Sequence, residues 1–142
     1  MTEFNKAEEN YQQGWYGVDL DGCLAKYDYW RGSLHIGKPI PKMVNRIKNW
    51  RRKGIEVRIF TARVHLAEPE DIKAIQDWCK KHIGEALPVT NCKDYGMREL
   101  WDDRVVQVMF NTGETLAETF GVADGVKEMM KDKDVVQTTD GD

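Results

Sequence analysis

Acidic side chains occur at two places in the sequence where their spacing could assemble a metal site. Asp19 and Asp21 lie on either side of one leucine, and Gly22 follows them. Asp102 and Asp103 are adjacent further along the chain. In an extended segment, residues two positions apart project to the same side, so Asp19 and Asp21 are predicted to face one small volume. Carboxylates held this close repel one another unless a cation lies between them. Oxygen ligands without a histidine or cysteine partner favour Mg²⁺ over zinc.

Two further polar residues could complete a phosphate site. A carboxylate beside Mg²⁺ can attack phosphorus and form an aspartyl phosphate. A second carboxyl group can protonate the leaving oxygen and later activate water. Thr61 offers a hydroxyl group and Lys93 a positive charge for phosphate oxygens, on which charge develops in the transition state. Each residue type also has an ordinary structural use, so it is the set, in this order, that indicates phosphoryl-transfer chemistry.

The candidate residues follow short apolar runs that are typical of β-strands. Strands are predicted at Trp15–Asp19, Ile55–Phe60, Ala86–Thr90, Glu99–Trp101 and Val105–Phe110. Asp19, Thr61, Thr90 and Asp102 lie at or directly after the ends of the first four. Helical segments separate the early strands, which predicts an α/β fold with a parallel sheet and helices on both faces. In such sheets the functional residues gather at the carboxyl ends of the strands.

Helix signals and a glycine-rich loop lie between the predicted strands. The first helix begins at Pro41 and ends at Gly54, with one apolar face formed by Ile40, Met43, Val44, Ile47 and Trp50. The second opens with Glu68, Pro69, Glu70 and Asp71 and ends at Gly84. Residues 22–39 are rich in glycine, proline and aromatic side chains and are predicted to form a loop or flap. Residues 114–130 are predicted to form one more helix.

Four motifs give the chain a resemblance to the haloacid dehalogenase (HAD) superfamily of phosphohydrolases. They are VDLDGCL at Val18–Leu24, IFTAR at Ile59–Arg63, TNCKD at Thr90–Asp94 and LWDDR at Leu100–Arg104. The resemblance implies a three-layer Rossmann-like fold with the strand order 5-4-1-2-3. It also implies a Mg²⁺-dependent phosphomonoester hydrolase, because an acid two residues after the nucleophile is the pattern of the phosphatases in that superfamily.

The resemblance also implies a role for each matched residue. Asp19 corresponds to the nucleophile and a metal ligand, and Asp21 to the general acid and base, with its backbone carbonyl on the metal. Thr61 corresponds to the phosphate-binding hydroxyl, and Lys93 to the lysine that balances the charge of nucleophile and phosphate. Asp102 corresponds to a metal ligand and Asp103 to a direct or water-mediated one. Further substrate contacts are predicted at Gly22, at Cys23, where the superfamily usually has threonine, and at Arg63.

The short segments between the motifs leave no room for a large cap domain. The flap at residues 23–38 is therefore the predicted cover of the site, with specificity residues at Tyr27, Tyr29, Trp30, Arg31 and His35. The predicted substrate is a phosphorylated small molecule or nucleotide. A basic run on and after the first helix (Arg46, Lys48, Arg51, Arg52, Lys53 and Arg58) leaves a 3′- or 5′-polynucleotide-end phosphatase open as an alternative. The oligomeric state stays open.

Two other classes of function compete with the phosphatase. Receiver domains of signalling proteins also combine acids, threonine and lysine around Mg²⁺, but their acidic pair comes first and the phosphorylated aspartate later. The order here is the reverse, which disfavours that class. A non-enzymatic phosphate-binding or regulatory protein on the same fold stays open.

Composition sets the remaining expectations. The chain has 142 residues, 24 acidic and 21 basic side chains and a net charge of −3, which fits one domain and disfavours a strongly basic nucleic-acid binder. Cys23, Cys79 and Cys92 are widely spaced and indicate neither a disulfide framework nor a zinc site, so a cytoplasmic location is expected. No membrane association is expected. The domain is predicted at 14–130, between a polar extension at 1–13 and a disordered acidic tail at 131–142.

Overall fold

The computed structural model describes residues 14–121, which belong to two compact units divided after Asp103. The first unit contains β1 (Trp15–Val18), α1 (Pro41–Arg52), β2 (Glu56–Phe60), α2 (Pro69–His82), β3 (Val89–Thr90) and β4 (Met97–Trp101). A single turn of 3-10 helix at Ala62–Val64 follows β2. The second unit contains α3 (Leu116–Phe120). The predicted extension at 1–13 and tail at 131–142 lie outside the described residues.

The first unit is built on a four-stranded sheet in the order β3-β2-β1-β4. Every pair of neighbours is parallel, which confirms the predicted α/β class with a parallel sheet. The register pairs Val18 with Ile59 on one side and with Trp101 on the other. The carboxyl ends of β1, β2 and β4 are therefore level, and the residues that follow them emerge along one edge of the sheet.

Both long helices pack on the same face of this sheet. Met43 and Ile47 of α1 share one buried core with Ile75 and Cys79 of α2 and with the strand residues Val18, Val57 and Ile59. The chain steps from β1 to β2 and from β2 to β3 in the same direction, and right-handed crossovers then place both helices on one face. The described part of the first unit thus shows two of the three expected layers.

The helix boundaries follow the sequence signals. α1 begins at Pro41, where a missing N–H costs nothing, and Gly54 follows its end with φ +79°. α2 begins at Pro69, and the Asp71 carboxylate accepts a hydrogen bond of 2.9 Å from the backbone N–H of Glu68. Three basic residues lie in its last turn, where they complement the helix dipole.

The predicted fifth strand is wrong for the described residues. Residues 105–110 contribute only an isolated antiparallel bridge between Val108 and Thr115, within the second unit. Asn111 and Gly113 have positive φ angles, and they turn the chain back on itself, so the backbone of this segment pairs locally. The expected order 5-4-1-2-3 is therefore not seen in full. Of the helix predicted at 114–130, α3 covers residues 116–120 and ends at Gly121; residues 122–130 lie outside the described part.

The loops between strands and helices contain no inserted domain among the described residues. Residues 19–40 connect β1 to α1, and residues 61–68 connect β2 to α2, with little secondary structure beyond isolated bridges and the 3-10 turn. Within residues 14–121, no helix has the length and apolar character needed to cross a membrane.

Candidate functional site

The site begins where β1 and β4 end side by side. Asp19 directly follows β1, and its backbone N–H donates a hydrogen bond of 2.8 Å to the carbonyl of Trp101, the last residue of β4. Asp102 and Asp103 follow Trp101. The parallel pairing of two adjacent strands thus brings together acids that are more than 80 positions apart in the sequence.

Asp19, Asp102 and Asp103 form an acidic cluster, in which one oxygen of each carboxylate lies within 4.8 Å of the others. All three side chains are only partly exposed to solvent. Burial, the nearby Asp102 and a hydrogen bond with Asp103 raise the pKa of Asp19 from 3.8 to about 8. The crowding therefore makes full ionisation of the cluster unfavourable when nothing offsets its charge.

The donor set of the cluster fits a hard divalent cation. Three carboxylate groups supply oxygen atoms only, which Mg²⁺ and Ca²⁺ prefer, whereas zinc sites generally include nitrogen or sulfur. The three carboxylates offer oxygen atoms within 4.8 Å of one another, which is close enough for one ion to contact all three.

Gly22 and Cys23 form the tight turn beneath the cluster. Gly22 has φ +84°, and a Cβ atom at this position would lie 3.0 Å from Oδ2 of Asp103. The Cys23 thiol donates a long hydrogen bond of 3.5 Å to the Trp101 carbonyl. Burial and the charge of Asp19 raise the pKa of this thiol to about 12, so Cys23 is a neutral packing group and not a nucleophile.

The side chain of Asp21 is not part of the acidic cluster. Both of its oxygens pair with Arg63, at 2.7 Å from Nε and 2.9 Å from Nη2. The expectation that Asp19 and Asp21 share one volume assumed an extended chain. The chain turns at Leu20 instead, whose carbonyl accepts hydrogen bonds from the N–H groups of residues 23–25. The general acid/base predicted from the sequence therefore lies beside the cluster, held by an arginine.

Thr61 occupies the predicted position at the end of β2. It is buried, and its backbone N–H donates a 2.9 Å hydrogen bond to the carbonyl of Thr90 at the end of β3. Its Oγ1 accepts a hydrogen bond of 3.2 Å from the backbone N–H of Arg63. The hydroxyl proton is not used in that bond, which leaves it for a second acceptor.

The Arg63 side chain is engaged within the first unit. Its side chain is only 7% exposed. Besides Asp21, its guanidinium donates to the carbonyls of Ser33 and His35 in the flap, at 3.2 Å and 2.9 Å. Four of the five guanidinium N–H groups are thus engaged within the chain, which leaves little capacity for a substrate phosphate.

Lys93 lies in the loop that connects β3 to β4. It is exposed, and its role at the acidic cluster stays a prediction from the resemblance. β4 runs parallel to β3, so the loop at residues 91–96 must return from the carboxyl end of one strand to the amino end of the other. The loop is fixed near the amino end by Asp94, which accepts a 2.8 Å hydrogen bond from Nε1 of Trp15.

The contacts between the flap and the β2–α2 connection were not predicted from the sequence. Beyond the contacts of Arg63, a hydrogen bond from the Ser33 side chain lowers the pKa of Asp71 at the start of α2. The Trp30 ring lies 4.9 Å from the Arg63 guanidinium and is otherwise exposed. Arg63 in the IFTAR motif was the signal that could have indicated these contacts, because it lies two positions after the site residue Thr61.

Comparisons with known proteins assign no function. The sequence matches no protein-family model, and no curated protein matches it. Among solved structures, a conserved protein coded by a locus from Bacteroides thetaiotaomicron matches with a TM-score of 0.48 and 20% sequence identity. The match covers 75% of this chain and 97% of that one.

Proposed function

We propose that this chain is a Mg²⁺-dependent phosphomonoester hydrolase of the haloacid dehalogenase type, with Asp19 as its nucleophile. One observation supports it most directly. Asp19, Asp102 and Asp103 offer oxygen atoms within 4.8 Å of one another at the carboxyl ends of adjacent parallel strands. That is the edge at which α/β sheets place their ligand sites, and the motifs occur in the order that the resemblance requires.

Asp19, Asp102 and Asp103 would hold the Mg²⁺ ion, together with the backbone carbonyl of Asp21. When bound, Mg²⁺ offsets the negative charge of the carboxylates and of the phosphoryl oxygens and so lets the two approach each other. The raised pKa of Asp19 is consistent with a site that needs a cation for this residue to be ionised.

The reaction would run in two steps. A carboxylate oxygen of Asp19 attacks phosphorus while the bond to the leaving oxygen breaks, and that oxygen takes a proton from Asp21. Asp21 then accepts a proton from water, whose oxygen attacks the aspartyl phosphate, releases inorganic phosphate and restores Asp19. The Thr61 hydroxyl donates to a phosphoryl oxygen on which negative charge develops. The assignment of Lys93 stays a prediction from the resemblance.

The experiment for this proposal is the Asp19→Asn variant, assayed on para-nitrophenyl phosphate with Mg²⁺ and after chelation with EDTA. We expect the wild type to turn over with Mg²⁺ and to lose activity in EDTA. Asp19→Asn should lose at least about 1,000-fold in kcat, because an amide is not a nucleophile for phosphorus. Asp77→Asn is the matched control and should retain full activity. Asp77 is an exposed residue of α2 that pairs with Lys73.

Full activity of Asp19→Asn in a folded protein would show that Asp19 is not the nucleophile. A wild type that binds phosphate esters without turnover would instead favour the non-enzymatic binding protein.

A further inference from the structure

Arg63 is a nearly buried cation that contacts two separate parts of the first unit. Its guanidinium pairs with both oxygens of Asp21, which follows β1, and donates to two carbonyl groups of the flap. The flap ring of Trp30 lies 4.9 Å above the same group. Arg63 itself is placed by the 3-10 turn that begins at Thr61, where its N–H bonds to the threonine hydroxyl.

The paired geometry determines the direction of the Asp21 carboxylate. Two parallel hydrogen bonds from a planar guanidinium fix both the position and the plane of a carboxylate, which a single contact does not. Each oxygen accepts one bond from Arg63 and keeps further lone-pair capacity. Asp21 is therefore held in one orientation, with lone pairs left to accept from a substrate or water.

The same guanidinium determines where the flap lies. Its bonds to the carbonyls of Ser33 and His35 are charge-assisted, and such bonds are stronger than neutral ones. A loop with exposed aromatic rings is thus held against the residue that is proposed to transfer protons.

We propose that Arg63 is a positioning residue, which orients the Asp21 carboxylate for proton transfer and holds the flap against it. This inference rests on the proposed phosphatase function. It replaces the expectation that Arg63 binds substrate phosphate, because most of its donors are already used inside the protein. Loss of Arg63 should then affect the protonation of the leaving oxygen and the closure of the flap together.

The first test compares leaving groups in the Arg63→Gln variant. The ratio kcat/KM reports the steps up to departure of the leaving group. The leaving oxygen of ethyl phosphate must be protonated as it departs. The leaving oxygen of para-nitrophenyl phosphate needs this protonation far less. We expect the variant to lose kcat/KM by at least about 10-fold more for ethyl phosphate than for the aryl ester, since general acid catalysis contributes about 100- to 10,000-fold. In the Asp21→Asn background, Arg63→Gln should add no further difference between the two substrates.

Arg58→Gln is the matched control, because Arg58 is also a partly buried arginine of the first unit. It pairs with Glu56 and Asp94 and stacks on Trp15, away from the acidic cluster. Any loss of activity it causes should be equal for the two substrates. Arg63→Lys, which keeps the charge but cannot form the paired contact, should show an intermediate difference between them. Equal losses for both substrates in Arg63→Gln and Arg63→Lys would overturn the inference.

The second test measures backbone amide hydrogen exchange in the flap, and it needs no turnover. We expect exchange in residues 30–36 to be at least about 10-fold faster in Arg63→Gln than in the wild type and unchanged in Arg58→Gln, because local opening sets the exchange rate. Unchanged exchange in Arg63→Gln would overturn the role in holding the flap. A wild type that hydrolyses neither ester would overturn the proposed function, while the exchange result would still decide whether Arg63 holds the flap.

Discussion

The turn after β1 uses a glycine both for its backbone conformation and for its lack of a side chain. Gly22 has φ +84°, a region that costs other residues about 1 to 2 kcal/mol. Its Cα also faces the Asp103 carboxylate closely enough that a Cβ would lie 3.0 Å from Oδ2. The residue that ends the DxDG motif therefore determines how near Asp103 can come to the turn.

Gly22→Ala should separate these two contributions when compared with Gly54→Ala. Gly54 has a similar φ of +79°, but no atom lies within 4 Å of a Cβ built there. We expect both variants to lose about 1 kcal/mol in the free energy of unfolding, measured by urea denaturation. Only Gly22→Ala should also weaken Mg²⁺ binding, measured by calorimetry, because its methyl group displaces Asp103. Equal Mg²⁺ affinity in the two variants would show that Asp103 is not a ligand.

At the scale of elements, three of the six residues of the basic run on and after α1 make contacts within the fold. Arg51 donates to the carboxylate of Glu85 and to the carbonyl of Ile55, which joins the end of α1 to the start of β2. Arg58 pairs with Glu56 and Asp94, and Arg46 lies over the ring of Trp101. These contacts favour a structural role for the run over a path for a polynucleotide.

Salt dependence should distinguish the two roles. A single strand that crosses several arginines and lysines releases counterions, so its affinity falls steeply with salt concentration. We expect the affinity for a 3′-phosphorylated oligonucleotide and the affinity for the matching nucleoside monophosphate to fall with salt by nearly the same factor. Fluorescence anisotropy measures the first affinity, and competition measures the second. A slope that corresponds to three or more phosphate contacts, and that is reduced in Lys48→Ala, would instead favour the polynucleotide-end phosphatase.

Local signals predicted the elements well and the long connections poorly. Pro41, Gly54 and Pro69 act on their own turns, so the helix boundaries could be read from neighbouring residues. The strand predicted at residues 105–110 depends on a long-range partner that apolar content alone does not specify, and Asn111 and Gly113 turned the segment back instead. The course of the loop that contains Lys93, from the carboxyl end of β3 to the amino end of β4, likewise could not be read from neighbouring residues.

The candidate site was predictable to the extent that it depends on strand ends. Asp19 and Asp102 meet because β1 and β4 are parallel neighbours. The alternation of strands and helices favoured a parallel sheet, but the sequence left open whether these two strands are neighbours. The separation of Asp21 from the cluster depends on a turn at Leu20 and on a partner 42 positions away, and neither can be read from a two-residue spacing.

At the scale of the whole molecule, the raised pKa of Asp19 links the stability of the fold to pH and to metal. Burial and the neighbouring Asp102 raise this pKa from 3.8 to about 8. Between those two values, the folded protein keeps a proton that the unfolded chain has released. The contribution of Asp19 to stability is therefore complete near pH 4 and is lost as the pH rises through about 8.

Thermal unfolding of the wild type and Asp19→Asn, each with EDTA and with Mg²⁺, should reveal this linkage. In EDTA, Tm of the wild type should fall relative to that of Asp19→Asn as the pH rises from about 4 to 8, because asparagine does not titrate. Mg²⁺ competes with the proton for the cluster, so it should raise Tm of the wild type more near pH 8 than near pH 5 and have little effect on Asp19→Asn. The same pH slope in both proteins would show that Asp19 does not hold the extra proton. An equal Mg²⁺ effect at both pH values would show that the ion binds elsewhere.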